Sequence, residues 1–152
     1  MKMGTAYKRP DGWYFHANSK TNVGVSISWP PYIRLDINAT HETLGQAVLE
    51  ALNGTEYDVP HPRQSDWVDI FRPMLNLAGV RTSTQFAKDA SCVGLSADDR
   101  YLSIEPWKNA GSKGGFAMIE NMSVKIPLES SPAEIGEALT KAMRIAEAGS
   151  LA

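Results

Sequence analysis

The sequence predicts an α+β fold: a mostly antiparallel sheet with amphipathic helices packed on one face, in a single domain spanning residues 1–152. Three observations predict it. Apolar alternating runs bounded by Gly, Pro, Asn and Asp recur along the chain and read as strands joined by hairpins. Two segments, ATHETLGQAVLEAL from Ala39 and SSPAEIGEALTKAM from Ser130, are near-copies with helical spacing, and each follows an alternating run, YIRLDI and VKIPL. An apolar content of 43% and a charged content of 21% suit a folded chain with a hydrophobic core.

The elements follow in chain order. GWYFHANS and VGVSISW, separated by the turn residues KTN, read as a hairpin, after which Pro30-Pro31 breaks the second strand and YIRLDI reads as a third. Thr40 is a helix N-cap, with Glu42 at the positive end of the helix dipole and an apolar stripe at Leu44, Val48, Ala51 and Leu52; Asn53-Gly54 ends that helix. TEYDVPHPRQ, twice interrupted by Pro, is a loop. SDWVDIFRPMLNLAG has helical periodicity with Ser65 as cap, but Pro73 predicts a kink or two short helices, because an interior Pro removes a donor and clashes with the preceding turn.

STQFAKDA adds a helical turn or two. CVGLS, the turn ADD and YLSIEPW form a second hairpin, the Gly-rich KNAGSKGG is a mobile hairpin-like loop, and FAMI and SVKIPL are the last strands. Ser131 caps a final helix that opens on Pro132, with Ile135, Leu139, Ala142, Met143 and Ala146 as its buried stripe. Each repeat is thus a strand running into a capped helix, and the small residues Gly45/Ala47 and Gly136/Ala138 suit close approach of a helix to a sheet.

The net charge of −2 conceals an uneven distribution. Residues 39–70 carry Glu42, Glu50, Glu56, Asp58, Asp66 and Asp69 against Arg63 alone. Such a segment repels nucleic acid and attracts basic partners. No apolar run approaches the roughly 20 residues that cross a membrane, so the chain is expected to act in the cytoplasm without a membrane partner. Its single Cys92 excludes an internal disulfide framework and a Cys-rich zinc site.

Local signals for chemistry are weak. His16, His41 and His61 show no metal-ligand spacing, and no cofactor or metal is expected. Cys92 lies in an apolar strand without a basic neighbour and reads as core. Asp98-Asp99 reads as a turn, and NAGSKGG lacks the Gly-Lys-Ser/Thr order and the following helix of a phosphate loop. Aromatics among carboxylates, by contrast, are the composition of a hot spot facing a basic partner. That points to Glu56, Tyr57, Asp58, Asp66, Trp67 and Asp69 as binding residues. The competing reading of these residues is a solvated loop with Trp67 anchoring a helix.

The segment FAKDASCVGLSADDRYLSIEPWKNAGSKGGFAMIENMSVKIPLESSPAEIGEALTKAM resembles the CdiI immunity proteins of bacterial contact-dependent growth inhibition. The resemblance rests on a short Phe-Lys segment, a hairpin, the turn pattern Ile104, Pro106, Asn109 and Gly111, then Gly115-Phe116, a strand and the Ser131-capped helix. WYFHANSK resembles the family's aromatic start more loosely. The resemblance implies a non-enzymatic inhibitor that binds the C-terminal toxin domain of a cognate CdiA, commonly a nuclease, in the cell that makes both. It transfers no contact residues. Two other readings stay open: a small enzyme or ligand-binding domain whose site joins His16, His61 or Asp99 across the fold, and a subunit of a larger assembly.

Overall fold

The computed structural model describes residues 1–150. Its strands are β1 (Lys2–Arg9), β2 (Gly12–Lys20), β3 (Ser26–Leu35), β4 (Ser91–Ala97), β5 (Tyr101–Asn109), β6 (Phe116–Met118) and β7 (Val124–Pro127). The helices are α1 (His41–Asn53), a 3-10 helix (Gln64–Asp69), α2 (Arg72–Ala78), α3 (Ser83–Ala87), α4 (Gly111–Gly114) and α5 (Pro132–Gly149). One sheet runs β3-β2-β1-β4-β5-β6, with β7 pairing on β5 beyond the end of β6, and every strand pair is antiparallel.

This order explains the internal repetition. Three strands and a helix (β1, β2, β3, α1) are followed by a second such unit (β4, β5, β7, α5), and the two meet along the antiparallel β1–β4 pair. The strand order therefore reads alike from either edge of the sheet.

Both long helices lie on one face, as the amphipathic stripes require. Leu44, Val48, Ala51 and Leu52 of α1 and Ile135, Leu139, Ala142 and Met143 of α5 are buried with Ala6, Phe15, Val93, Leu95, Leu102 and Ile104 from the strands. Gly45 and Gly136, however, serve a helix–helix contact and not a helix–sheet one. A Cβ on Gly45 would stand 1.8 Å from the Pro132 carbonyl oxygen, and one on Gly136 would stand 1.8 Å from that of His41. Each glycine receives the first turn of the other helix.

The strand β1 has no counterpart in the sequence reading. Its core-facing positions are Gly4 and Ala6, too small to produce an apolar alternation. A Cβ on Gly4 would already lie 2.9 Å from the His16 carbonyl oxygen and 3.7 Å from the Ala51 Cβ, so the close packing of α1 dictates the small residues.

Pro30 and Pro31, joined by a cis peptide, do not end a strand. They are accommodated within β3, where the register with β2 shifts between the pairs Tyr32–His16 and Trp29–Ala17. The position at the sheet edge makes this possible, since a proline there removes no ladder bond.

The segment around Pro73 does divide into two short helices, with Pro73 in the tolerated first turn of α2. The cap of the first is Arg63, and not Ser65: Asp66 accepts from the Arg63 backbone N–H at 3.2 Å. The loop after β5 contains the single turn α4 before β6 resumes the sheet.

The short helices cover part of the second face. Phe71, Met74, Leu75 and Phe86 pack there on Tyr7, Tyr14 and Cys92. Cys92 is core, as expected, and burial pushes its thiol pKa up. The remainder of that face, toward Met3, Thr5, Asn18 and Ser96, lies beyond these helices.

Candidate functional site

The acidic loop between α1 and the 3-10 helix is built onto the end of the sheet. The Lys20 N–H donates to the Glu56 carbonyl at 3.0 Å, the Asn22 N–H donates to the Val59 carbonyl at 2.9 Å, and the Val59 N–H returns to the Lys20 carbonyl at 3.2 Å. Buried Ser19 accepts from the Glu56 N–H at 2.9 Å. These bonds fix the loop backbone against the end of the sheet, while Glu56, Tyr57 and Asp58 remain exposed.

The structure brings most of the sequence-predicted residues to this one end. The Glu56 carboxylate accepts from the Trp29 indole N–H at 2.8 Å, and Asp58 occupies a left-handed turn position with φ of 57°. Trp67 remains 41% exposed on the 3-10 helix, its ring standing edge-to-face 5.4 Å from that of His61. His61 is held in turn by Thr21, 3.2 Å from its Nδ1. Tyr57 is exposed, and its hydroxyl donates to the Met1 carbonyl, at the start of β1.

Two of the acids already carry cations. Asp66 pairs with Arg63 at 3.1 Å, and that hydrogen bond holds its carboxyl below the usual carboxylate range. Asp69 pairs with Arg72 at 3.7 Å. The field at this end is therefore weaker than the sequence count implies, and Glu56 and Asp58 are its acids without an ion pair among the described residues.

Sequence reasoning missed the apolar part of the patch. Val68 on the 3-10 helix is 72% exposed, and in the β2–β3 turn Val23 is 65% exposed and Val25 is exposed with it. The Thr21 N–H donates to the Val25 carbonyl at 2.8 Å, which places that turn next to His61 and Trp67. The signal was a pair of valines inside a turn, NVGVS, where polar residues are the rule.

From Trp67 a depression runs onto the uncovered part of the sheet. Its first section is bounded by Trp67, Ile70, Phe71, Ser28 and Asn18, with His16 at its floor. His16 is 4% exposed. Its Nδ1 lies 2.8 Å from the Ala17 carbonyl, which can only accept, so Nδ1 carries the proton and Nε2 accepts from the Tyr7 hydroxyl at 3.2 Å. Burial lowers its pKa to about 4, and the ring is neutral at physiological pH. A second section of about 550 Å³ shares Thr5, Tyr7 and Asn18 with the first and extends to Ser96, Glu105 and Trp107.

His16, His61 and Asp99 do not come together as one site. Asp99 lines a separate depression with Lys2, Asn53 and Leu128, while His61 is absent from the section that holds His16. Asp98 forms a turn, its carboxylate accepting from the N–H groups of Arg100 and Tyr101 at 2.8 and 2.7 Å. Among the described residues no cluster of three or more His, Cys, Asp or Glu side chains could hold a metal ion, and no helix is long and apolar enough to cross a membrane.

Comparison with known proteins supplies the family. Among solved structures, a protein of unknown function from Neisseria meningitidis superposes with a TM-score of 0.78 at 20% identity, covering 95% of this chain and 94% of that one. A CdiA-CT/CdiI toxin and immunity complex from Yersinia pseudotuberculosis contains a chain that superposes with a TM-score of 0.72 at 16% identity, covering 99% and 97%. These likenesses show a shared fold. No curated protein matches the sequence. The model of the CDI immunity protein family, CdiI, matches residues 15–146, taking in both repeats and the pinned acidic loop, and the chain belongs to that family.

Proposed function

We propose that this protein binds the C-terminal toxin domain of a cognate CdiA and neutralises it, protecting the cell that makes both. The toxin is a basic nuclease, and the inhibitor works in the cytoplasm by occupying the toxin surface, without catalysis of its own, without a cofactor and without binding nucleic acid. Glu56, Tyr57, Asp58, Asp66, Trp67 and Asp69, joined by Val23, Val25 and Val68, form the docking surface.

The observation that carries this reading is an exposed apolar and aromatic patch rimmed by carboxylates, at the end of a member of the immunity family. Large exposed apolar side chains mark interaction surfaces, and a central aromatic anchor within a charged rim is how binding energy concentrates. A nuclease must present cations to phosphates, and carboxylates held at fixed positions can occupy those cations. Opposite charge also raises the rate of capture above the roughly 10⁵–10⁶ M⁻¹s⁻¹ of unsteered association.

The test is calorimetric titration of the cognate toxin domain, made catalytically inactive, against the full chain across a range of salt. One-to-one binding that weakens with salt is expected. Replacing Asp66 and Asp69 together by Lys should reduce affinity by roughly tenfold and flatten the salt dependence, and Trp67→Ala should reduce it further by faster dissociation. Unchanged affinity in both variants moves the interface elsewhere, and no binding to a folded toxin domain rejects the immunity reading for that pair.

A further inference from the structure

The depression that begins at Trp67 does not end at His16, and its far section differs from the acidic end in kind. Its floor is formed by strand residues that point away from α1 and α5: Thr5 of β1, Asn18 of β2, Ser96 of β4 and Glu105 of β5. These groups are neutral hydrogen-bonding side chains with a single carboxylate among them. Glu105 makes no ion pair among the described residues. Lys125, which projects from the same side of the neighbouring β7, is engaged instead with the Tyr101 ring, 4.3 Å from its centroid.

Trp107 stands two residues along β5 from Glu105 and so shares its face of the sheet. The residue opposite Glu105 on β4 is Gly94, and the Trp107 indole lies over it. A Cβ there would meet the Trp107 indole nitrogen at 3.0 Å, so the glycine gives the indole its seat. The indole N–H is buried there without an acceptor.

The geometry points to a pocket for one arginine side chain of the toxin domain, seated on Glu105 with its guanidinium plane beside Trp107. Resting on the immunity reading, this names a second contact for the same partner. The chemistry of the floor selects arginine. A guanidinium carries five donors in a fixed fork and stacks on aromatic faces, and the pocket offers one carboxylate, hydroxyl and amide oxygens at Ser96, Thr5 and Asn18, and an indole wall. A lysine would present a compact, strongly hydrated ammonium that uses neither the fork nor the wall. Continuity supports the same occupant: the two sections share Thr5, Tyr7 and Asn18, so a partner seated on Trp67 reaches Glu105 without leaving the depression.

The experiment uses the full chain and the inactive cognate toxin domain. Glu105→Gln keeps the shape and removes the charge, and Ser96→Trp fills the pocket from a solvent-facing position; thermal melts check that both remain folded. Each should weaken binding tenfold or more, with Trp67 intact. If wild type binds the toxin and both folded variants bind as wild type does, the arginine pocket is overturned while the immunity reading stands.

If wild type does not bind the toxin, the immunity reading fails for that pair and the pocket is read directly. The ¹⁵N-labelled chain is titrated with N-acetyl-arginine amide, with N-acetyl-citrulline amide as the uncharged control. A saturable shift of the Trp107 indole N–H resonance with the arginine compound, lost in Glu105→Gln, supports the pocket; no shift, or the same shift with citrulline, overturns it.

Discussion

On the face under α1 and α5 the strands contribute Ala6, Phe15, Val93, Leu95, Leu102 and Ile104, all buried in one apolar cluster. On the opposite face the alternate residues of the same strands are Thr5, His16, Asn18, Ser96 and Glu105. A period of two lets adjacent residues do unrelated work: the first set closes the core, and the second lines a depression that leads to the exposed end at Trp67. The repetition of the strand–helix unit belongs entirely to the first face. The second face, where the two halves of the chain are not alike, carries the depression and the proposed contacts.

The largest effect should come from the glycine contact that joins the repeats. Helix propensity predicts that Gly45→Ala or Gly136→Ala stabilises a helix by roughly 0.5–1 kcal/mol. Packing predicts the reverse, because each Cβ would stand 1.8 Å from a backbone carbonyl oxygen of the partner helix. Neither carbonyl can turn aside without breaking its own helix start, so we expect a net loss of about 3 kcal/mol, the upper end of overpacking costs, from either variant. Urea denaturation measures it, with the exposed Gln46→Ala as a control within about 0.5 kcal/mol of wild type. A gain in stability for Gly45→Ala would mean that the helices separate freely, and the structural account of the repeat would fall.

The second face should show itself in acid. Burial holds the His16 pKa near 4, whereas the unfolded chain takes up that proton near 6.5. Above pH 6.5 neither state is protonated there, and the buried ring costs nothing. Below it only the unfolded state binds the proton, so stability falls by about 1.4 kcal/mol per pH unit, approaching a total of about 3 kcal/mol at pH 4. Denaturation curves of wild type and His16→Asn between pH 7 and 4.5 should diverge in slope, with the variant less sensitive to acid. Parallel slopes would show that the ring is solvated in the native state. Among the described residues, the apolar cluster under α1 and α5 contains no ionisable side chain.

Legibility in the sequence follows the same division. The fold was readable wherever large apolar residues set a period or a cap announced a helix. Thr40 and Ser131 both cap as expected, and the alternations of β2, β4 and β5 are real strands. It failed at β1, where close helices demand Gly4 and Ala6 and so erase the pattern. It failed also at Pro30-Pro31, where an edge position and a register shift absorb a breaker. Composition alone suggested Glu56, Tyr57, Asp58, Asp66, Trp67 and Asp69 as a group, and Arg63 was visible among them, but the pairing of Asp69 with Arg72 was not, because Arg72 lies outside the acidic segment and only the turn into α2 brings it back. The depression over His16 and Glu105 left no local trace at all: its residues come from β1, β2, β4 and β5, and only the sheet order assembles them.

The smallest effect lies within the repeat itself. The helices start on matched residues, yet their caps differ. Ser131 accepts from the Glu134 N–H at 3.2 Å while the Glu134 carboxylate accepts from the Ser131 N–H at 3.0 Å, a reciprocal box. Thr40 accepts from the Thr43 N–H at 3.2 Å, but Thr43 stands where Glu134 does, and its hydroxyl binds Thr40 Oγ1 instead of returning to the backbone. Removing Ser131 therefore unties a donor and frees the residue that satisfies a second one, whereas removing Thr40 unties one. Ser131→Ala should cost about 1 kcal/mol and Thr40→Ala about half of that. Thr43→Glu, which would complete the box on α1, should recover part of the difference by stabilising that helix. Equal losses for the two alanine variants would show that the reciprocal arm adds nothing, leaving the hydroxyl cap as the only part of the repeated start that contributes to stability.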